Sequence, residues 1–211
     1  MNHYAHLGLF FALVFGIVVL PGLDMAFVLG SAISGGRSKG FAAVGGIVAG
    51  GVCHVLMTAL GISVLLQVLP GAFNALLLAG ALYLAWIGIS LVRSTSAFGI
   101  VPDERSRPIA ATLRQGLLTS LLNPKAYLFM LAVFPQFMRP EYGVLWLQAV
   151  VLWLIIAINQ VCIYGGLTVM ADRARAWLKH KSRAGAMAAR SVGLLLIAAA
   201  VVTGVGGWRP M

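Results

Sequence analysis

The chain has 211 residues, of which 61% are hydrophobic and 9% charged, with a mean hydropathy of +0.97. A soluble domain carries about 25% charged residues to cover its surface, so this composition excludes an ordinary soluble globule, a disordered chain and a disulfide scaffold. The 25 glycines follow no every-third-residue period, which excludes collagen; what remains is an integral membrane protein, whose formal charge of +10 reads as membrane topology before nucleic-acid binding.

A helix that crosses the hydrocarbon core, ~30 Å thick, needs about 20 apolar residues. Six stretches qualify in chain order: Leu7–Gly30, Phe41–Leu69, Ala72–Val92, Gly116–Met138, Gly143–Ala171 and Ser191–Trp208. No strand-length alternation of apolar and polar residues competes with them, so a β-barrel is not expected. The first stretch lacks a basic start and a clean small-residue cleavage site, and it reads as a retained helix rather than a signal peptide. Cys53 and Cys162 fall inside apolar stretches and read as small buried packing residues.

Orientation follows from where the cations lie. With six spans, the connections after the first, third and fifth share one side of the membrane. They hold Arg37 and Lys39; Arg93, Arg105, Arg107 and Arg114; and Arg173, Arg175, Lys179, Lys181, Arg183 and Arg190. The other side holds only Arg139 and Arg209. Basic connections stay in the cytoplasm, so both termini of this multi-pass membrane protein are predicted to lie outside.

The longest polar connection, 94–115, contains Pro102, Asp103, Glu104 and Pro108 and divides the chain into halves of three spans. Three is odd, so two halves of one fold must be inverted relative to each other, as in many secondary transporters. The expected architecture is a single membrane domain over 1–211: an all-α integral membrane protein of six transmembrane helices in two inverted three-helix repeats, 1–93 and 116–211, with 94–115 as a cytoplasmic loop.

The halves match at a finer level. Pro21-Gly22 interrupts the first span and Asn123-Pro124 the fourth. A proline inside a helix removes a backbone donor and frees a carbonyl one turn earlier. In lipid such loose groups are tolerated where they face protein or a wet cavity. Asp24 and Lys125, the two charged residues within the spans, each sit beside one of these breaks. An intramembrane charge costs at least about 2.5–3.5 kcal/mol. Two readings stand: a mutual salt bridge that locks the halves together, and ligands for substrate or proton.

These segments resemble a known family. Pro21-Gly22-Leu23-Asp24-Met25, the Gly35-Gly36-Arg37-Ser38-Lys39-Gly40 turn, Gly45-Gly46 and Gly80-Ala81-Leu82-Tyr83-Leu84-Ala85-Trp86-Ile87-Gly88 are similar to motifs of the LysE/RhtB amino-acid exporters. Gln115-Gly116, Asn123-Pro124-Lys125-Ala126 and Phe134-Pro135-Gln136-Phe137 continue the likeness in order, from about residue 8 to 207. The resemblance implies an inner-membrane exporter of amino acids or close analogues, driven by the proton gradient. The family usually reads Pro-Gly-Pro where this chain has Pro21-Gly22-Leu23, and the lost proline restores a donor that is expected to soften the break.

A free amino acid carries an anion and a cation close together, and a broken helix offers N–H groups to one and unwound carbonyls to the other. The candidate substrate site is therefore Pro21, Gly22, Asp24, Asn123, Pro124 and Lys125, joined by Asn159 and Tyr164 of the fifth span. Lys125 faces the carboxylate in this reading; Asp24 takes the ammonium or a counter-transported proton. Asn123, which donates and accepts, orients either end. Gln160 is read as cavity lining or helix–helix glue, and His54 as a satisfied packing histidine.

Gly46 and Gly50 form a GxxxG pair that packs the second span within the monomer or against a second copy, a homodimer; the sequence does not choose. The basic run from Arg173 to Arg190, with Trp177, reads as an interfacial segment held by membrane lipids. His3 and His6 are too few for a metal site. No nucleotide-binding, metallohydrolase or serine-nucleophile motif occurs, so neither enzyme nor cofactor is expected. A channel would want a ring of polar groups. A cation or metal exporter and a non-transporting six-helix membrane protein are the alternatives.

Overall fold

The computed structural model describes residues 3–60, 70–93 and 108–178, with nine further positions between 190 and 205. Its ordered elements are α1 (His3–Val19), α2 (Leu23–Gly35), α3 (Arg37–Ala59), α4 (Pro70–Arg93), α5 (Ile109–Leu121), α6 (Pro124–Ala132) and α7 (Leu145–Leu178). Short 3-10 turns, Phe134–Phe137 and Pro140–Tyr142, join α6 to α7. The described positions from 190 to 201, and residue 205, are helical and belong to the sixth span. The protein is all-α, with no strand among the described residues.

Both predicted breaks are sharp bends. α1 and α2 meet at a bend of 58°, and α5 meets α6 with its following turn at a bend of 55°. At the second bend Asn123 is the N-cap of α6: its side chain accepts the Lys125 backbone N–H at 3.1 Å, and Pro124 takes the first helical position, where no donor is missed. At the first bend Gly22 is the N-cap of α2 and Leu23 the first helical residue. The expectation that Leu23 softens this break is corrected. A helix's first N–H groups have no internal partner anyway, so the restored donor rebuilds nothing, and the Leu23 side chain is fully buried.

Several boundaries move. α3 begins at Arg37 rather than Phe41, which places Lys39 in its first turn and buries it instead of leaving it in a connection. The helix runs to Ala59, and 61–69 lie outside the described residues. α5 begins at Ile109, so the tail of the expected cytoplasmic loop 94–115 is helical, while 94–107 lie outside the described residues. α7 continues unbroken into the basic run as far as Leu178; 179–189 are likewise outside.

The seam between α3 and α5 is close, and it shows what the GxxxG pair packs against within this chain. A Cβ on Gly46 would stand 2.1 Å from the Leu113 carbonyl oxygen, and one on Gly50 2.5 Å from the Ser120 side chain. Gly116 returns the approach, with the Ala43 carbonyl 2.6 Å from its Cβ position. Small residues here let the two backbones touch within one chain. A Cβ on Gly40 would meet Thr168 of α7 at 2.4 Å, and one on Gly88 of α4 would meet the Gly193 carbonyl at 2.7 Å.

Phe10 of α1 anchors the other side of the core, its ring 4.9 Å from Phe137 and 5.7 Å from Phe129. His6 is buried above it and bonds the Phe137 carbonyl at 3.2 Å, a packing role. Outward faces stay apolar, with Phe11, Phe15, Leu56, Trp86, Trp146, Leu154 and Ile158 all exposed; a surface of this kind is covered by lipid. Cys162 is exposed on α7 and Cys53 half-buried, so both are free but neither is the buried packing residue expected. Arg37 and Asp172 form an ion pair at 2.7 Å, which puts the connection after the first span and the end of the fifth on one face.

Candidate functional site

The two bends meet across a cavity lined by side chains of both. α1 supplies Val14, Ile17 and Val18; α6 supplies Ala126, Phe129 and Met130; these form the apolar wall. The polar groups come from five places: Asp24 in the first turn of α2, His54 of α3, Ser120 at the end of α5, Asn123 and Lys125 at the start of α6, and Gln160 and Tyr164 of α7. The N-termini of α2 and α6 therefore both carry residues of one cavity, and a helix N-terminus favours negative charge.

Lys125 spends its ammonium on the broken helix. Pro21 has no N–H, so the Ile17 carbonyl, four residues earlier, loses its helical donor. Lys125 Nζ reaches across from the other half and donates to Ile17 O at 3.0 Å and to Leu20 O at 2.8 Å. Gly22 makes room for it: a Cβ there would lie 3.3 Å from Nζ. Of the two readings of this pair, the mutual Asp24–Lys125 salt bridge does not form. Among the described residues, Arg37 pairs with Asp172 and Arg139 with Glu141, and Asp24 pairs with no cation within 4.0 Å.

Burial without a partner marks the rest of the site. Among the described residues six buried side-chain polar atoms have no hydrogen bond, and four of them line this cavity: Asp24 Oδ1, His54 Nδ1, Asn123 Nδ2 and Gln160 Oε1. Leaving such an atom unpaired costs about 1–3 kcal/mol. The Asn123 orientation is set by its cap, because Oδ1 accepts the Lys125 N–H and Nδ2 is left as a donor. His54 Nε2 is 3.0 Å from the Ser120 carbonyl, and its ring stands edge-on to Tyr127 at 4.7 Å. The cavity thus offers acceptors and donors to a ligand that carries both kinds of group.

The LysE type translocator model matches residues 15–206. The chain belongs to this family. An uncharacterised membrane protein of Pseudomonas aeruginosa is 30% identical over 186 residues, 86% of each chain. A leucine efflux protein of Klebsiella pneumoniae is 27% identical over 183 residues, again 86% of each chain. A homoserine/homoserine lactone efflux protein of Salmonella typhimurium is 27% identical over 159 residues, 75% of this chain and 77% of the relative. No solved structure matches the chain.

Within this translocator, the predicted site residues sort into two groups. Asp24, Asn123, Lys125 and Tyr164 line one cavity. Pro21, Gly22 and Pro124 do not line it; they shape the backbone that presents those side chains. Asn159 stands apart from this group: it is buried, its Nδ2 donates to Ile155 O at 2.9 Å, and it is not among the cavity-lining residues. Gln160, one residue on and ~100° around the helix, takes that place. It lies one turn before Tyr164, and that four-residue spacing is the signal that would have selected it. His54, read as a satisfied packing residue, lines the cavity and is satisfied at one nitrogen, while the other is buried without a partner. It continues the Gly46–Gly50 stripe at the same spacing.

Proposed function

We propose that this translocator exports neutral amino acids or close analogues across the bacterial inner membrane by proton antiport. The observation that carries the proposal is the convergence of Asp24 Oδ1, His54 Nδ1, Asn123 Nδ2 and Gln160 Oε1, all buried and unpartnered, on one cavity between two bent spans. An amino acid has a carboxylate for the donors and an ammonium for the acceptors. Asn123 Nδ2 and the α6 N-terminus take the carboxylate with Lys125; Asp24 and Gln160 take the ammonium. Asp24 also carries the exchanged proton when the cavity is empty of substrate. His54, Tyr164 and the apolar wall of α1 and α6 then surround the side chain.

The relatives named for efflux of leucine and of homoserine and its lactone support a substrate with an ammonium and no charged side chain, an amino acid or a close derivative of one. The two halves act as inverted repeats that rock about the cavity, with the basic connections in the cytoplasm and both termini outside. Efflux from cells loaded with dipeptides tests the reading. Cells that make the chain are expected to release at least one neutral amino acid faster than cells without it, and an uncoupler to abolish the difference. An unchanged efflux across a panel of amino acids and their analogues contradicts it.

A further inference from the structure

We propose that Lys125 is a carboxylate-operated latch on the first bend, an inference that rests on the amino-acid reading above. The ammonium has three donors. Two are committed to Ile17 O at 3.0 Å and Leu20 O at 2.8 Å, the carbonyls left at the end of α1. Lys125 also lines the cavity, at the start of α6 beside the second bend. One side chain therefore ties the hinge of one half to the hinge of the other, and the same charge is within the space where a substrate carboxylate would bind.

These two demands compete. A hydrogen bond from an ammonium to a carboxylate is charged at both ends and stronger than one to a neutral carbonyl. A carboxylate in the cavity draws Nζ away from Ile17 and Leu20 and leaves the end of α1 without its cap. The freed carbonyls then need other partners, which a changed bend or cavity water supplies. Gly22 is the clearance that lets the ammonium sit on the carbonyls, since a Cβ there would be 3.3 Å from Nζ. A substrate analogue without the negative charge, such as a carboxamide, binds the acceptors and leaves the latch shut. The latch converts recognition of one functional group into movement of the span, and so couples specificity to transport.

Hydrogen exchange over residues 16–26 of the purified full chain in lipid nanodiscs reads the latch directly. L-leucine and L-homoserine, each beside its carboxamide, are the probes, and calorimetry records binding separately. Wild-type exchange in this segment is expected to rise about tenfold with a bound amino acid and to stay unchanged with a bound carboxamide. Lys125→Met is expected to exchange at the raised rate with no ligand present, and Gly22→Ala to move in the same direction to a smaller extent. Should Lys125→Met fail to fold, Gly22→Ala carries the ligand-free arm. Ligand-free exchange at the wild-type rate in whichever of these variants folds overturns the latch. So does an equal rise with amino acid and carboxamide when both bind. If calorimetry detects neither amino acid, the proposed function fails instead, while the ligand-free variants still decide whether Lys125 holds the bend.

Discussion

The carbonyl end of Asn123 caps α6 through the Lys125 N–H at 3.1 Å while its amide nitrogen is buried without a hydrogen bond. Two substitutions separate these tasks. Asn123→Asp keeps an N-cap acceptor and replaces the cavity donor with an acceptor, so it is expected to melt near the wild-type temperature and to lose substrate binding. Asn123→Ala removes both, and is expected to lose about 1 kcal/mol of stability as well, read from thermal melting of the detergent-solubilised chain. Asp24→Asn keeps shape and removes the charge; amino-acid efflux is expected to fall at least about tenfold, the factor that 1.4 kcal/mol represents. At this scale the sequence was legible wherever a residue was costly for its setting: a carboxylate, an ammonium and an Asn-Pro pair in apolar runs announce themselves. Ser120, His54 and Gln160 cost little where they stand. Their membership of the cavity depends on which way a helix face turns after a bend, and Asn159 shows that one residue of rotation decides it.

Among the elements, α3 and α5 make the contact on which both halves depend. Gly46 has no room for a side chain, with its Cβ position 2.1 Å from the Leu113 carbonyl oxygen, whereas its neighbour Gly45 meets nothing nearer than Leu113 Cδ1 at 4.0 Å. Gly46→Ala is therefore expected to destabilise the fold by about 1–3 kcal/mol or more through overpacking, and Gly45→Ala to leave it near wild type. Paired melting curves check the contrast. Leu23→Pro makes a complementary case. The first position of α2 accepts proline without loss of a helical bond, so the 58° bend is expected to persist. What is lost is the packing of a fully buried leucine. The bends were legible from Pro21 and Pro124, because a missing N–H acts locally. The ends of α3 and α5 were not, because polar residues near a membrane surface are tolerated in helix and connection alike.

Across the whole molecule, the twelve cations assigned to one side predict the orientation, and the Arg37–Asp172 ion pair joins the connection after the first span to the end of the fifth. An alkaline phosphatase fused after residue 211 is expected to be active, and a fluorescent protein fused there dark, since the account places that terminus outside. The cavity between the two bends is proposed to bind an amino acid for export. The most direct measurement is counterflow in proteoliposomes: purified chain, a saturating unlabelled neutral amino acid inside, and the same amino acid radiolabelled outside. Transient accumulation of label is expected with the wild-type chain and is expected to disappear in Asn123→Asp of equal stability. Equal accumulation by both chains would contradict the assignment, and no accumulation of any amino acid by the folded wild-type chain would contradict the function.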